Sequence, residues 1–342
     1  MRVLVVKTSS LGDLVHCFPA LTDAARVIPG IRFDWVAEQA FAALPRLHPA
    51  VERVIPIGLR RWRGGWWRAW RRGEMQRFWQ ALRARDYDRV IDAQGLFFKS
   101  AWVARAARGP SAGFDARSAR DRWVGWSYQD AFRVARDQHA IARNRRLFAA
   151  ALGYRLDGSA PDYGLRVEAP RPARPYLVFL HATTWPSKHY PEAGWIDLTR
   201  RARAAGLPAA MPWHAPLERL RVERIREQGG QPLLPERMEL PELARFLAAA
   251  SGVIGVDSGL THLAAALERP TVGLYGPTAP GLSGVIGRRV SNLQADFPCA
   301  PCLKRECDYP GESESRPACF TRLPPSRVWD TLRELLARED AA

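Results

Sequence analysis

The sequence predicts an α/β protein with two Rossmann-like domains, each built on a doubly wound parallel sheet. The chain has 342 residues, 47% of them apolar, which is enough for two hydrophobic cores. Short β-branched runs alternate with helical spacing along both halves. Between the halves, the proline- and arginine-rich stretch 166–175 lacks any period and is typical of a linker. We therefore expect domains at 1–165 and 176–325, facing each other across a cleft.

The N-terminal half opens with a strand, a loop and a helix. RVLVV at 2–6 is typical of a buried strand, and the turn-rich KTSSLGD leads from it into a helical stretch at 14–27. The strand signal recurs three times, as FDWVA (33–37), RVIPI (53–57) and RVIDA (89–93). An open parallel sheet is the economical interpretation.

The C-terminal half repeats the alternation. Strands are predicted at 176–182, 208–215, 252–257 and 271–276, and helical stretches at 191–205, 216–228, 239–250 and 260–268. The last segment, 326–342, has helical spacing. We expect it to form a helix that crosses back onto the first domain.

The charge is unevenly distributed. Of a net charge of +16, residues 1–165 contribute 28 basic and 15 acidic residues, against 23 and 20 in the remainder. This asymmetry indicates an anionic partner of the first domain: a membrane surface, a phosphorylated or carboxylated ligand, or nucleic acid. The sequence contains neither a long uncharged apolar run nor a signal peptide, so we expect a cytoplasmic protein.

Three polar clusters follow predicted strands, where open α/β sheets bind their ligands. In the first, 7–13, Asp13 at the opening of a helix is a candidate general base, although a helix N-cap would need no catalytic role. The second, 181–188, offers two hydroxyls and the Lys188 ammonium, a set that suits a phosphate and also fits an ordinary polar loop.

The third cluster, 255–262, runs from a strand into a helix whose backbone N–H groups would face an anion. Asp257 as a helix cap and His262 as a satisfied helix residue are the structural alternatives. The cluster contains no GxGxxG and no Walker motif, which excludes the usual dinucleotide and P-loop interpretations.

Taken together, the segments resemble one family over nearly the whole chain, in order. The matching segments are KTSSLGDLVHCFPALTDA, AVERVIPIGLRRWR, YDRVIDAQGL, FLHATTWPSKHYPE, MPWHAP and GVDSGLTHLAAALERPTVGLYGPTAPGL. They are similar to lipopolysaccharide heptosyltransferases, those of type I above all. The resemblance implies a GT-B fold and transfer of heptose, with inversion, from ADP-L-glycero-β-D-manno-heptose to the Kdo (3-deoxy-D-manno-octulosonic acid) of Kdo-lipid A. Heptosyltransferase II or another ADP-heptose transferase is the alternative.

The resemblance also implies roles for individual residues. Asp13 falls on the proposed general base, and Lys188 would stabilise the departing diphosphate. Donor-binding positions fall on Thr183, Thr184, Lys188, Glu218, Met238, Asp257, Ser258, Gly259 and His262, with Glu218 at the ribose and Met238 at the adenine. Acceptor-binding positions fall on Ser10, Gly12, Arg60, Arg61, Arg63 and Arg120. Ser258 departs from the commoner threonine but keeps a hydroxyl. Because no DxD-type pair is placed to assist, we expect catalysis without a metal or other cofactor.

The basic segment, residues 60–72 (RRWRGGWWRAWRR), holds six arginines and four tryptophans and no acidic residue. Tryptophans favour the water–lipid boundary and arginines attract anionic head groups. We expect peripheral attachment to the cytoplasmic face of the inner membrane. The structural alternative is a solvated basic loop whose tryptophans pack on the core.

Four of the five cysteines are spaced as Cys299-x2-Cys302-x4-Cys307-x11-Cys319. In a cytoplasmic protein this spacing suggests a structural zinc or iron site more than disulfides, and free thiols are the alternative. Cys17 is expected in the core.

Two other classes of protein compete with the enzyme. A nucleic-acid-binding protein would explain the basic first half but not the clusters around Thr183, Lys188 and Asp257. A lipid-surface scaffold without activity would tolerate loss of Asp13 and Lys188. We favour the enzyme, with no nucleic-acid partner. The residues do not determine the oligomeric state, for which a monomer is our expectation.

Overall fold

The computed structural model describes residues 1–170 and 172–338. Contacts between Cα atoms divide the chain into two compact units, Met1–Arg166 and Val167–Ala342. Each unit contains one parallel sheet flanked by helices, which confirms the predicted α/β class with two parallel-sheet domains. Within the described residues, no helix is both long enough and apolar enough to cross a membrane.

The first unit is built on a six-stranded parallel sheet. Its strands are β1 (Arg2–Val6), β2 (Arg32–Glu38), β3 (Val51–Ile57), β4 (Arg89–Asp92), β5 (Ser111–Phe114) and β6 (Asp130–Phe132). Its helices are α1 (Leu11–Val15), α2 (Phe18–Val27), α3 (Leu59–Arg63), α4 (Trp66–Arg71), α5 (Glu74–Leu82), α6 (Trp102–Ala106) and α7 (Ala140–Leu152). A π-helical turn (Phe97–Ala101) and a 3₁₀ turn (Arg122–Ser127) follow β4 and β5.

The strand order β3-β2-β1-β4-β5-β6 places the topological switch between β1 and β4. From β1 the chain continues to β2 on one side of the sheet, whereas from β4 it continues to β5 on the other side. The loops after β1 and β4 therefore separate and leave a crevice at the carboxyl ends. The β1 side chains Val3–Val6 are fully buried, which explains why this strand reads as a continuous apolar run.

The second unit is built on a five-stranded parallel sheet with the order β11-β10-β9-β7-β8. Its strands are β7 (Leu177–Leu180), β8 (Ala209–Ala210), β9 (Gly252–Val256), β10 (Thr271–Tyr275) and β11 (Val290–Gln294). Its helices are α8 (Glu192–Ala204), α9 (Pro216–Glu227), α10 (Leu240–Ala249), α11 (Gly259–Ala266), α12 (Pro280–Ser283) and α13 (Pro325–Ala337). The switch point lies between β7 and β9.

The C-terminal helix α13 completes the core of the second unit. Its buried side chains Val328, Trp329, Leu332 and Leu335 belong to the same apolar cluster as Phe179 of β7. The expected crossing back onto the first domain is therefore corrected, because this apolar face is buried within the helix's own unit.

The structure departs from the predicted elements where local signals were weak. The helical stretch 14–27 is two helices, because a new helix begins at Phe18 with Cys17 as its N-cap and Pro19 in its first turn. Strands β5, β6 and β11 were not predicted, since sequences such as SAGF and DAF lack a β-branched run. The expected strand at 208–215 is reduced to two residues of β8.

Candidate functional site

In the second unit, the loops after β7 and β9 meet at the switch point. The Lys188 ammonium lies 2.7 Å from Oδ2 of Asp257, with side-chain exposures of 16% and 8%. The Thr183 hydroxyl donates to the main-chain carbonyl of Asp257 at 3.4 Å. These contacts, made across 69 and 74 positions of the sequence, place the second and third polar clusters in one site.

Asp257 is the electrostatic centre of this site. Burial acts to raise its pKa, but hydrogen bonding to His262 and the charge of Lys188 outweigh that effect and hold the pKa well below its usual range. Nε2 of His262 lies 3.6 Å from Oδ1, and the Thr278 hydroxyl donates to Oδ2 at 2.7 Å. Asp257 therefore stays ionised and fixes the ammonium beside it.

The third cluster turns directly into α11. Ser258 is the N-cap residue and Gly259 is the first residue of the helix. The cap is therefore Ser258 and not Asp257, the residue suggested by the sequence. The Ser258 and Thr261 hydroxyls are 3.1 Å apart, and Thr261 donates to the carbonyl of Val256 at 2.6 Å. With the Lys188 ammonium nearby, this turn brings together hydroxyl, ammonium and helix N-terminal groups, a set that can bind a phosphate anion.

Arg221 of α9 contacts the loop after β7 through the His189 ring. Its guanidinium donates to the His189 ring, whose other nitrogen lies 3.0 Å from the Thr183 carbonyl. Burial, with the nearby Arg221 charge, lowers the pKa of His189, so the ring is neutral near pH 7. Glu192 contacts Arg221 at 3.4 Å. The contacts from Glu192 through Arg221 and His189 thus hold the backbone of Thr183 in place. Thr184 is exposed.

The two remaining donor positions lie on neighbouring segments of the second unit. The Glu218 carboxylate accepts from the backbone N–H groups of His214 and Ala215, at 2.8 and 3.1 Å, and so stabilises the start of α9. Met238 is half-buried just before α10. The indole of Trp213 donates to the carbonyl of Pro235 at 3.0 Å and connects the two segments.

In the first unit, Ser10 ends the loop after β1, and Gly12 and Asp13 lie in the first turn of α1. Asp13 is the third residue of α1, and its Oδ2 accepts from the backbone N–H and the hydroxyl of Ser10 at 2.7 and 2.9 Å. Ser10 is the N-cap residue and Gly12 is buried. Asp13 thus has a structural role in its own turn, and its role as a base remains a prediction.

Gln94, after β4, holds this loop at the switch point. Its side-chain carbonyl accepts from the backbone N–H groups of Thr8 and Ser9 at 3.1 and 3.2 Å. The buried Lys7 ammonium donates to the carbonyl of Ala93 at 2.7 Å. The segment that follows β4 therefore fixes the loop that leads into α1 and Asp13.

The predicted acceptor arginines are spread over two segments of the first unit. Arg60, Arg61 and Arg63 lie on α3, and Arg120 follows β5; all four are exposed. Arg60 lies over the Phe41 ring, and Arg61 pairs with Glu74 at 2.6 Å. Contact of these arginines with an acceptor remains a prediction.

The basic segment is helical rather than a loop, since it forms most of α3 and all of α4. Trp62 is buried against Phe78, with ring centroids 5.8 Å apart. Trp66, Trp67 and Trp70 are exposed. The segment thus combines one core tryptophan with three at the surface.

The cysteines are all free thiols. Burial raises the pKa of Cys17 to about 12, which confirms its place in the core. Burial likewise raises the pKa of Cys319 to about 12, with further contributions from the nearby charges of Cys307, Cys299 and Cys302. In the part of the chain that the structure describes, no group of three or more His, Cys, Asp or Glu is arranged to hold a metal ion. The structural zinc or iron is thus unsupported by the side-chain arrangement and stays a prediction.

Three supporting residues were missed at the level of sequence: Thr278, Gln94 and Arg221. Thr278 and Gln94 each follow a strand and could have been found as polar residues at the carboxyl end of the sheet. Arg221 has no such signal, because it lies within α9 among several other arginines.

Known proteins match the chain over almost its whole length. Residues 75–312 match the family model of glycosyltransferase family 9 (heptosyltransferase). The chain is 50% identical to lipopolysaccharide heptosyltransferase 1 of Pseudomonas aeruginosa, covering 98% of both proteins. It is similar to the solved structure of E. coli heptosyltransferase WaaC with ADP, at a TM-score of 0.86 and 41% identity, covering 98% of this chain and 100% of that one. WaaC with ADP-2-deoxy-2-fluoro heptose gives a TM-score of 0.83 and 40% identity, covering 98% and 99%. The chain therefore belongs to glycosyltransferase family 9, the heptosyltransferases.

Proposed function

We propose that the chain transfers L-glycero-D-manno-heptose from ADP-L-glycero-β-D-manno-heptose to the Kdo of Kdo-lipid A, with inversion, in synthesis of the lipopolysaccharide inner core. The observation that carries the proposal is the site around Lys188 and Asp257 at the switch point of the second sheet. The names of the Pseudomonas relative and of the WaaC complexes support both the heptose donor and the lipopolysaccharide acceptor.

On the donor side, Lys188, Thr183 and the turn into α11 bind the diphosphate. As the bond between the anomeric carbon and the diphosphate oxygen breaks, negative charge grows on the leaving ADP. The Lys188 ammonium therefore interacts more strongly with the transition state than with the ground state. Glu218 contacts the ribose and Met238 the adenine, while Thr184, Ser258, Gly259 and His262 complete the donor site.

On the acceptor side, Asp13 is the general base. The Kdo hydroxyl oxygen bonds to the anomeric carbon, and its proton passes to the Asp13 carboxylate. Ser10 and Gly12 shape the loop around the hydroxyl. The exposed arginines Arg60, Arg61, Arg63 and Arg120 bind the carboxylates and phosphates of the acceptor, since a guanidinium forms paired hydrogen bonds with such anions.

The test is ADP release from ADP-L-glycero-β-D-manno-heptose, with and without Kdo-lipid A dispersed in detergent. We expect release that depends on the acceptor. Absence of release by the folded chain would move the assignment to another acceptor or sugar nucleotide.

Asp13→Asn separates the base from the structural role of Asp13. Asparagine keeps an oxygen that can accept from Ser10, so the turn is preserved while the base is lost. We expect turnover to fall by at least about 100-fold. Asp157→Asn, at an exposed carboxylate paired with Arg26, is the matched control and should behave as wild type. An Asp13→Asn variant as active as wild type would limit Asp13 to the structure of its turn.

The remaining proposals concern location, assembly and metals. We propose a monomer that attaches peripherally to the cytoplasmic face of the inner membrane, with the arginines of the basic segment next to anionic head groups.

We also propose that catalysis needs no metal. Chelation with EDTA should leave ADP release within about twofold of the untreated rate, and a loss restored by a divalent ion would contradict this. Elemental analysis of the purified chain tests whether the four cysteines hold zinc or iron.

A further inference from the structure

In the part of the chain that the structure describes, the exposed aromatic side chains are confined to one part of the first unit. Among the described residues, seven Phe and Trp side chains are exposed, and all seven lie between positions 66 and 126. Three are the tryptophans of α4, and the other four are Phe97, Phe98, Trp123 and Trp126. Phe98, Trp123 and Trp126 are 82%, 73% and 83% exposed. Grouped apolar exposure of this kind marks an interaction surface.

The second group, here called the aromatic rim, comprises Phe97, Phe98, Trp123 and Trp126. It surrounds an open cavity of about 490 Å³ that Arg105 and Asp121 also line. The two carboxylate oxygens of Asp121 accept from the backbone N–H groups of Phe97 and Trp123, at 3.2 and 3.3 Å. One carboxylate thus connects the turns that follow β4 and β5 and fixes their aromatic side chains at one place.

Aromatic contacts connect the rim with the basic segment. Successive ring centroids are 5.8 Å apart from Trp62 to Phe78, 5.4 Å from Phe78 to Trp79, and 5.1 Å from Trp79 to Trp102. The indole of Trp102 then donates to the main-chain carbonyl of Phe98 at 3.3 Å. The aromatic rim and α3–α5 are therefore parts of one packed structure.

The positive charge of this region favours an anionic partner. Residues 60–136 contain 18 basic and 7 acidic residues, and all six arginines of the basic segment are exposed. Tryptophan and arginine together suit the boundary of an anionic bilayer, where the indole lies at the head-group level and the guanidinium meets phosphate. Nucleic acid would share the attraction to arginine and could stack its bases on exposed rings. The acceptor proposed above is a lipid A, which lies in a membrane, and this favours the bilayer as the partner.

We infer that the aromatic rim is a second membrane-docking element, which enters the head-group region of an anionic phospholipid bilayer while the basic segment provides electrostatic attraction. The inference rests on the peripheral attachment proposed above and extends it to residues outside 60–72. Binding then needs both elements, because stable attachment of a peripheral protein to a bilayer takes two weak signals.

The experiment is co-sedimentation of the full chain with vesicles of phosphatidylcholine containing about 30% phosphatidylglycerol and no Kdo-lipid A, a fraction chosen to give an anionic surface. The variants are the double substitution Trp123→Ser with Trp126→Ser, and the single substitution Phe98→Ser. Leu217→Ser, at a 78% exposed leucine of the second unit, is the matched control. Because these side chains are exposed, the variants should fold, which circular dichroism verifies.

We expect the double variant to lose at least about tenfold in vesicle partitioning, since removing about 100 Å² of buried apolar area costs more than 1.4 kcal/mol. Phe98→Ser should lose less, and Leu217→Ser should match wild type. If the double variant binds vesicles as strongly as the wild-type protein, the inference is overturned. The inference is also overturned if the wild-type protein binds vesicles only after Kdo-lipid A is added to them. The rim would then contact the acyl chains of the acceptor itself.

Heptosyl transfer is measured in parallel with acceptor dispersed in detergent. A folded double variant with normal transfer and weak vesicle binding supports docking by the rim. Transfer without any vesicle binding by wild type overturns the docking and leaves the proposed function intact. Vesicle binding by wild type without transfer overturns the proposed function and leaves the docking intact. The two proposals therefore fail separately.

Discussion

The Lys188 ammonium and the Asp257 carboxylate form an ion pair of 2.7 Å in the second unit, and Thr278 and His262 share the same carboxylate. Because Asp257 is held by three side chains, it acts as a fixed anchor for Lys188. The ammonium has three protons, so a lysine that contacts Asp257 can also donate to a diphosphate. The pair therefore positions a cation for a second anion.

Lys188→Met tests this role. The substitution leaves Asp257 buried without its ammonium and removes the positive charge next to the leaving diphosphate. We expect turnover to fall by about 100-fold or more and the free energy of unfolding to fall by about 3 kcal/mol. ADP release and urea titration are the measurements.

The matched control for this variant is Lys304→Met. Lys304 also pairs with an aspartate, Asp308, at 2.6 Å, but the two side chains are 56% and 68% exposed. Exposed pairs contribute little, so stability and turnover should both stay close to wild type. Equal effects of the two substitutions would contradict a special role for Lys188.

Thr278→Val tests the support of Asp257. Valine keeps the shape of the side chain but removes the donor to Oδ2. A hydrogen bond to a charged group contributes about 2 kcal/mol, so we expect the free energy of unfolding to fall by about that amount. Thr331→Val, which removes an exposed hydroxyl that donates within α13, should cost less than about 0.5 kcal/mol. Thermal unfolding of both variants provides the comparison, and similar midpoints would refute the assignment.

Sequence patterns were sufficient to predict the architecture and to select polar loops at the carboxyl ends of the strands. Runs such as 3–6 and 252–256 are buried on both faces of a parallel sheet, so they are apolar throughout and can be recognised without knowing which strands lie beside them. Polar residues after such runs then fall at the ligand-binding edge of the sheet. That logic singled out the loops that contain Lys188 and Asp257, which the structure places in contact at the end of one sheet, and their role in donor binding stays a prediction.

Contacts between distant segments could not be predicted in the same way. The pairing of Lys188 with Asp257 depends on β7 lying beside β9, which the strand order establishes and local spacing does not. Arg61 is paired with Glu74 because α3 and α5 meet, although the basic segment itself contains no acid. The C-terminal helix was misplaced for the same reason, since an amphipathic pattern shows that a face is buried but not against which sheet.

Gln94→Ala tests whether β4 positions the loop of Asp13. The variant leaves two backbone N–H groups, of Thr8 and Ser9, without the acceptor that holds them. We expect turnover to fall by about 10- to 100-fold through misplacement of the loop, with the KM for ADP-heptose changed by less than about twofold. The steady-state constants for both substrates are the measurement.

Gln129→Ala is the control for this substitution. Gln129 makes a bond of the same kind, accepting from the backbone N–H of Ser111 at 3.1 Å, but at the amino end of β5. Its loss should leave turnover unchanged. If Gln94→Ala also leaves turnover unchanged, or alters only the KM for the donor, Gln94 does not position the acceptor side.

His48 makes the first unit sensitive to acid. The ring is buried, its Nδ1 accepts from the backbone N–H of Ala50 at 3.2 Å, and its Nε2 lies 3.1 Å from the Thr22 hydroxyl. Burial lowers the pKa of His48 to about 4, although the charge of Asp162 acts to raise it. The folded unit therefore holds a neutral ring whose surroundings disfavour a proton.

The sign of the pH dependence follows from this shift. Between about pH 4 and pH 6.5 the unfolded chain binds a proton at His48 that the folded chain does not, so stability falls as the pH falls through this window. His48→Asn keeps an acceptor for Ala50 but has nothing to titrate. From pH 7 to pH 5 wild type should lose about 2 kcal/mol more than the variant, measured by urea titration of the first unit's transition. Parallel losses in the two proteins would show that the His48 ring accepts its proton as readily in the folded unit as in the unfolded chain.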